Sequence, residues 1–268
     1  MKKLIYFVFA AALGVLIYSC TKENDDNNVI LKDGKSNSIV QDLNTIFNNI
    51  KNNNSLSKLN VIVENEENPF DYVGVDHNVA LAHLMAQNYT DSTFCNSLSE
   101  MENEFEVEVN YNCQEVLSLI EDGRIKTFDS LGNYKTDLLD ELLNDDKISE
   151  NEYLIVNTTV ESVFASTDLN EKIELLKVAE EYTVSSQFLT EAEKFRILST
   201  FAVYRYSSYY WEVENLERVN PLVAVADALA MYWALHSELS EVNDGVEAGI
   251  ISTLVSAGVA VLVDIVFP

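Results

Sequence analysis

Three kinds of side chain in this sequence carry chemistry beyond packing: histidines, cysteines, and a run of aromatics around one arginine. The histidines are His77, His83 and His236. A helical metal pair needs ligands four residues apart on one face. His77 and His83 are six apart, about 240° around a helix, so any ion they held would need distant ligands. No metal and no cofactor is expected. Ser55-Leu56-Ser57-Lys58 has the S-x-x-K spacing of a serine nucleophile beside a lysine base, but it stands in an Asn-rich stretch without the S-D-N and K-T-G elements that complete such a site. G-x-S-x-G, H-E-x-x-H, a phosphate-cradling glycine loop and an EF-hand loop are all missing from the sequence. Among 44 acidic residues no carboxylate pair stands out as a general acid and base. A non-catalytic role is favoured, with enzymatic activity left open.

The densest aromatic stretch is Phe201-Ala-Val-Tyr-Arg-Tyr-Ser-Ser-Tyr-Tyr-Trp211. On a helix, Phe201, Tyr204, Ser208 and Trp211 share one face, while Tyr206, Tyr209 and Tyr210 spread over the others. Aromatics around most of a helix place it at the centre of a bundle, with tyrosine hydroxyls reaching polar partners at its edge. The functional alternative makes Tyr206, Tyr209, Tyr210 and Trp211 a stacking platform for a sugar or peptide. Arg205, if buried, must find a carboxylate.

Of three cysteines, Cys20 has the most informative surroundings. Lys2 and Lys3 precede an apolar run from Leu4 to Leu16, followed by Ile17-Tyr18-Ser19-Cys20. A short positive region, a 13-residue apolar region and a small residue at the cut site read as a secretory signal rather than a membrane span. The cysteine after the small residue resembles the lipobox of bacterial lipoproteins, which implies an acylated thiol and an envelope membrane as partner through Cys20. The acidic Thr21-Lys22-Glu23-Asn24-Asp25-Asp26 that follows is similar to the export tag of Bacteroidota surface lipoproteins. An outer-membrane, outward-exposed location follows from that likeness. Cys95 and Cys113 then remain in an oxidising compartment. A disulfide across their 18-residue separation would add roughly 3 kcal/mol in the chain-entropy model, unless helical geometry holds the sulfurs apart.

The expected organisation is a signal peptide over 1–19, a lipidated tether over 20–37, and a single helical domain over 38–268. Residues 21–37, rich in Asn, Asp and Lys, would reach about 23 Å as a flexible coil. Apolar content of 47% with 10% aromatics supplies a real core and rules out global disorder. Three prolines and eight glycines favour helices over a many-turned β-sandwich. The net charge is −27, and removal of the signal takes away two lysines. Such a chain is repelled by phosphate backbones and anionic headgroups, so nucleic-acid binding is excluded. Protein or glycan partners remain, and solubility at a cell surface is the plain reading of the charge.

Start and stop signals follow one another along the domain. Ser38 is placed as the cap of an amphipathic run with Ile39, Leu43, Ile46 and Ile50 on one face, broken at Asn52-Asn53-Asn54. Asn68-Pro69-Phe70-Asp71 reads as a turn, with Asp76 capping a helix through Tyr89. A helical pattern from Ser92 carries Phe94, Leu98, Met101 and Phe105, and the alternation over 105–111 suits a short extended piece. Helices follow from Cys113 to Glu121, around Leu138-Leu139 and Leu142-Leu143, from the Ser149/Glu152 capping box to Phe164, from Asp168/Glu171 to about Ser186, and from Thr190/Glu193 as far as Glu217. Asn220-Pro221 opens a helix to Leu239, and Asp244 begins a last apolar segment. The fold class is all-α: an irregular multi-helix bundle of about eight to ten helices. The final segment, Val246–Phe267, has only Glu247 and Asp264 as charges and two rows of small residues, which suits a core helix or a membrane-active segment.

Two stretches are specific in combination. Asn68-Pro69-Phe70-Asp71-Tyr72-Val73-Gly74-Val75-Asp76-His77-Asn78 resembles a motif of uncharacterised Bacteroidota surface lipoproteins that reads N-P-aromatic-D and then G-x-x-H-N. Leu189–Phe195, running into Ala202-Val203-Tyr204-Arg205-Tyr206-Ser207 and Tyr210-Trp211, is similar to a second motif of the same family. Asp227-Ala228-Leu229-Ala230 and the small-residue tail from Asp244 add a third, compositional likeness; here the tail is richer in Val, Ile and Leu than the family's glycine- and alanine-rich one. The resemblance implies a lipid-anchored location and no particular reaction. The function expected is non-catalytic binding or interaction at the envelope. The alternatives are a bacteriocin-like effector or immunity protein using the apolar tail, and a glycan binder or enzyme using the aromatics.

Overall fold

The computed structural model describes residues 36–52, 61–86, 126 and 134–214, all within one of two compact units, Asp33–Pro268. Cys20, the tether, Ser55–Lys58, Cys95, Cys113, His236 and the helices expected over 92–121 and beyond 220 lie outside the described residues. Among those described the architecture is all-α, without a strand: six α-helices and one π-helical turn.

Helix α1, Ser36–Lys51, buries Ile39, Leu43 and Phe47 and leaves Gln41, Asn44 and Asn48 in solvent. That is the amphipathic stripe expected from a 3.6-residue period. It ends as the Asn cluster begins. Its start is corrected: Ser38 lies inside the helix rather than capping it.

Helix α2, Asp71–Ala86, opens five residues before the expected cap, and Asp76 sits within it. The reason is local. Asn68 accepts from the Phe70 amide through Oδ1 at 2.9 Å and from the Asp71 amide through its carbonyl at 3.1 Å. Pro69 needs no amide partner there, and Asp71 places a carboxylate in the first turn. The Asn-Pro order expected to open a helix at 220, outside the described residues, here stands just ahead of one, with Asp71 two residues after Pro69.

Helix α3, Asp137–Asn144, buries Leu138, Leu139 and Leu142. It ends in a reversal at Asp146, whose φ of 54° is the left-handed conformation that Asp tolerates better than most residues. The reversal lets the Lys147 amide donate to the Leu142 carbonyl at 2.9 Å. Helix α4 spans Glu150–Phe164 with the full capping box of Ser149 and Glu152. Helix α5 spans Leu169–Ser185, with Asp168 accepting from the Glu171 amide. Helix α6 spans Glu191–Tyr209 behind a second full box, Thr190 and Glu193. It does not run on regularly toward Glu217, because the hydrogen-bond pattern widens to a π-turn at Tyr210–Glu214. Lys172 of α5 pairs with Glu212 of that turn at 2.5 Å.

Among the described helices α6 is the hub. Its most extensive partners are α2 and α5, while α4 joins α1 and α5 on the other side and α3 packs on α4. Residues Ile197–Ser208 of α6 are buried without a break, so the helix has no solvent face over three turns. Where α2 crosses it, Gly74 lies against Ala202: a β-carbon there would sit 2.8 Å from the Ala202 carbonyl oxygen and would run into the Tyr206 ring. Only a glycine lets the two backbones approach so closely. No described helix is long and apolar enough to cross a membrane.

Candidate functional site: a buried polar cluster around Arg205

An arginine at the centre of a bundle must be fully compensated, because its charge cannot leave. Arg205 is 0% exposed. Its Nη2 reaches Asp71 Oδ1 at 2.5 Å and Glu180 Oε1 at 3.0 Å, and its Nη1 donates to the Val63 carbonyl. The guanidinium carbon also lies 5.3 Å from the centre of the Tyr206 ring, within cation–π range. Its Nε–H is without a hydrogen-bond partner.

The carboxylates are satisfied in turn. Glu180, on α5 and wholly buried, accepts from Asn65 Nδ2 at 2.5 Å and from Asn68 Nδ2 at 3.0 Å. Asn68 shares that amide with the Leu198 carbonyl, also at 3.0 Å. Asp71 accepts from the Tyr206 hydroxyl at 2.9 Å. One cluster thus ties together the 61–70 segment, the first turn of α2, the middle of α5 and the core of α6.

Burial pushes the Glu180 carboxyl above its ordinary range, and the opposing pull of Arg205 and the two asparagine amides does not fully offset it. Burial would weaken the Arg205 charge, but Glu180 and Asp71 outweigh it, and the guanidinium stays protonated. Burial, with the hydrogen bond to Asp71, keeps the Tyr206 phenol neutral well beyond its ordinary range. The side chain of Asp71 is 20% exposed, so the cluster's surplus negative charge faces the edge of the bundle.

The two stretches singled out as specific in combination meet here. Gly74 packs on Ala202, Asp71 holds Arg205 and Tyr206, and Asn78 donates to the Tyr206 carbonyl at 2.9 Å. His77, from the same stretch, is buried within α2, with Nδ1 at 3.0 Å from Asn78 Oδ1. It is not at a helix N-terminus as expected. His83 lies further along α2. Among the described residues no cluster of His, Cys, Asp and Glu could hold a metal ion.

The four aromatics considered as a platform are placed differently from one another. Tyr206 is in the polar cluster, and Tyr210 and Trp211 are buried with their rings edge to face at 5.4 Å. Tyr209 is half-buried beside Val63, Ile173 and Tyr206. Glu180, Asn65, Asn68 and Asp71 were not singled out from the sequence as partners. The available signals were Arg205 itself, which demanded a carboxylate, and the N-P-F-D motif, whose Asn and Asp both turn inward.

A second, smaller junction holds α4 to α6. Glu152, 1% exposed, completes the α4 capping box at 2.9 Å and also receives Arg196 of α6, with Nη2 at 2.7 Å. In both places charge is used to bind helix to helix. No family model, curated protein or solved structure matches this chain.

Proposed function

We propose that this chain is a lipid-anchored protein of the bacterial outer membrane, facing outward, with a non-catalytic binding or interaction role, and that it belongs with the uncharacterised Bacteroidota surface lipoproteins. In this reading an acylated Cys20 holds the chain at the membrane, residues 20–37 form a stalk, and a body of eight to ten helices over 38–268 presents a strongly anionic surface. Two or more acyl chains on one residue give firm anchoring where a single chain would not.

The observation that carries the anchor is the run from Lys2 through the apolar segment to Ser19-Cys20, with Glu23, Asp25 and Asp26 shortly after it. The non-catalytic reading is supported by where the reactive side chains sit. Arg205, Glu180 and Asn68 are closed off from water and engaged with one another, so the richest polar cluster among the described residues acts inward. Burial of Tyr206, Tyr210 and Trp211 favours packing over sugar stacking for that segment.

The test is chemical. Mass spectrometry of the protein from its native envelope should find Cys20 as the first residue, carrying acyl chains. Cys20→Ala should leave an unprocessed precursor without lipid. A mature chain with a free, unmodified N-terminus, or normal processing and membrane retention of Cys20→Ala, would overturn the proposal.

A further inference from the structure

The outward face of α2 is apolar where an outward face should be polar. Tyr72, Val75 and Val79 are 48%, 42% and 54% exposed, and their spacing sets them in one row along the helix. The row continues to exposed Ala82, a length of about 15 Å. On α1 the equivalent outward positions are Gln41, Asn44 and Asn48. Single exposed apolar residues need no explanation, but a row of them on one helix is a candidate contact surface.

The charges of this helix and of the segment leading into it say what fits the row. Residues 61–86 contain no lysine or arginine and five acids. Asp71 is engaged by Arg205, while Glu64, Glu66 and Glu67 are exposed in the segment that leads into the first turn of α2. Ile62, 64% exposed, adds apolar surface to that segment. An anionic bilayer or a second copy of this acidic chain would meet repulsion there. A sugar would stack on Tyr72 but gain little from two valines.

We propose that this face docks a cationic amphipathic helix of another protein. Its apolar side would seat on Tyr72, Val75 and Val79, and its lysines or arginines would face Glu64, Glu66 and Glu67. The proposal deepens the interaction role given above by naming the surface and the class of partner, and it is independent of the lipid on Cys20.

The full lipidated protein in phosphatidylcholine nanodiscs, with empty discs as the blank, is titrated with a 14-residue amphipathic peptide of leucine and lysine. The same peptide with glutamate replacing lysine serves as its counterpart. The lysine peptide should bind and the glutamate peptide should not. The double variant Val75→Ser/Val79→Ser should weaken binding at least tenfold with an unchanged helical spectrum, while Asn44→Ser/Asn48→Ser on α1 should leave it unchanged. If the first double variant loses helicity, Tyr72→Ser takes its place with the same expectation. Equal binding by every variant would reduce the effect to general charge attraction and sink the proposal. So would loss, in the α2 variants alone, of binding to phosphatidylglycerol vesicles or of a dimer seen by sedimentation. Peptide binding that persists when Cys20 proves unlipidated would remove the anchored reading and leave this one standing.

Discussion

At the scale of single residues, Arg205 decides most. Removing one partner of a buried ion pair leaves the other uncompensated, which costs about 3–5 kcal/mol. Arg205→Met keeps much of the volume but strands Glu180, so urea unfolding at pH 7 should show a loss of that size. The loss should shrink in acid, where the stranded carboxyl takes up a proton. A uniform loss from pH 4 to pH 8 would argue against an ionised Glu180. Glu180 itself has a folded-state value above its ordinary 4.5, so the folded state binds its proton more tightly than the unfolded chain does. Its contribution is therefore fully present below 4.5 and declines as pH rises through the raised value. Glu180→Gln has no such proton to lose. The stability of the wild type relative to Glu180→Gln should fall as pH climbs from 4.5, by about 1.4 kcal/mol for each pH unit that separates the folded and unfolded values; the opposite slope would refute the assignment. Arg205 was legible in the sequence as a residue in need of a carboxylate. Which of 44 acids answered it was not, because Glu180 and Asp71 lie 25 and 134 positions away, and only the packing of three helices brings them together.

At the scale of elements, what was legible was local. The Ser149/Glu152 and Thr190/Glu193 boxes and the Asp168 cap begin their helices where the side chains put them, since a cap is set by residues three apart. Thr190→Ala should lower stability by about 1 kcal/mol, as removal of such a cap commonly does, readable as a shift in the thermal midpoint. The misplaced start of α2 has a local cause too: Asn68 closes the turn, and Asp76 is a half-buried polar residue inside the helix. The close crossing of α2 and α6 was not legible, because a glycine within a helix looks only like a weak point until its neighbour is known. Gly74→Ala removes that weakness, yet its new methyl meets the Ala202 carbonyl and Tyr206. Overpacking of this kind costs about 1–3 kcal/mol, so the variant should be less stable than the wild type despite alanine's better helix propensity. A more stable Gly74→Ala would mean that the two helices separate easily.

At the scale of the whole molecule, the charge of −27 sets the background for every local term. Like charges at that density press outward on a compact body, and raising sodium chloride to about 0.5 M shortens the screening length well below its 10 Å at 0.1 M. The thermal midpoint should therefore rise with salt, while the fully buried Arg205–Glu180 pair should contribute almost equally in both conditions. A midpoint that falls with salt would assign the stability to surface ion pairs instead. The reach of that cluster along the chain has a kinetic consequence. Asn65 finds Glu180 across 115 positions, and Asp71 finds Arg205 across 134, so the closure entropy of a very long loop precedes any reward. Pulse-labelled amides in the 61–71 segment should gain protection late in refolding, after the locally capped helices α4 and α6. A nascent chain stopped between residues 180 and 205 holds Asn65, Asn68 and Glu180 but not the cation that balances the carboxylates, so the cluster's charge is answered only once Arg205 has been added.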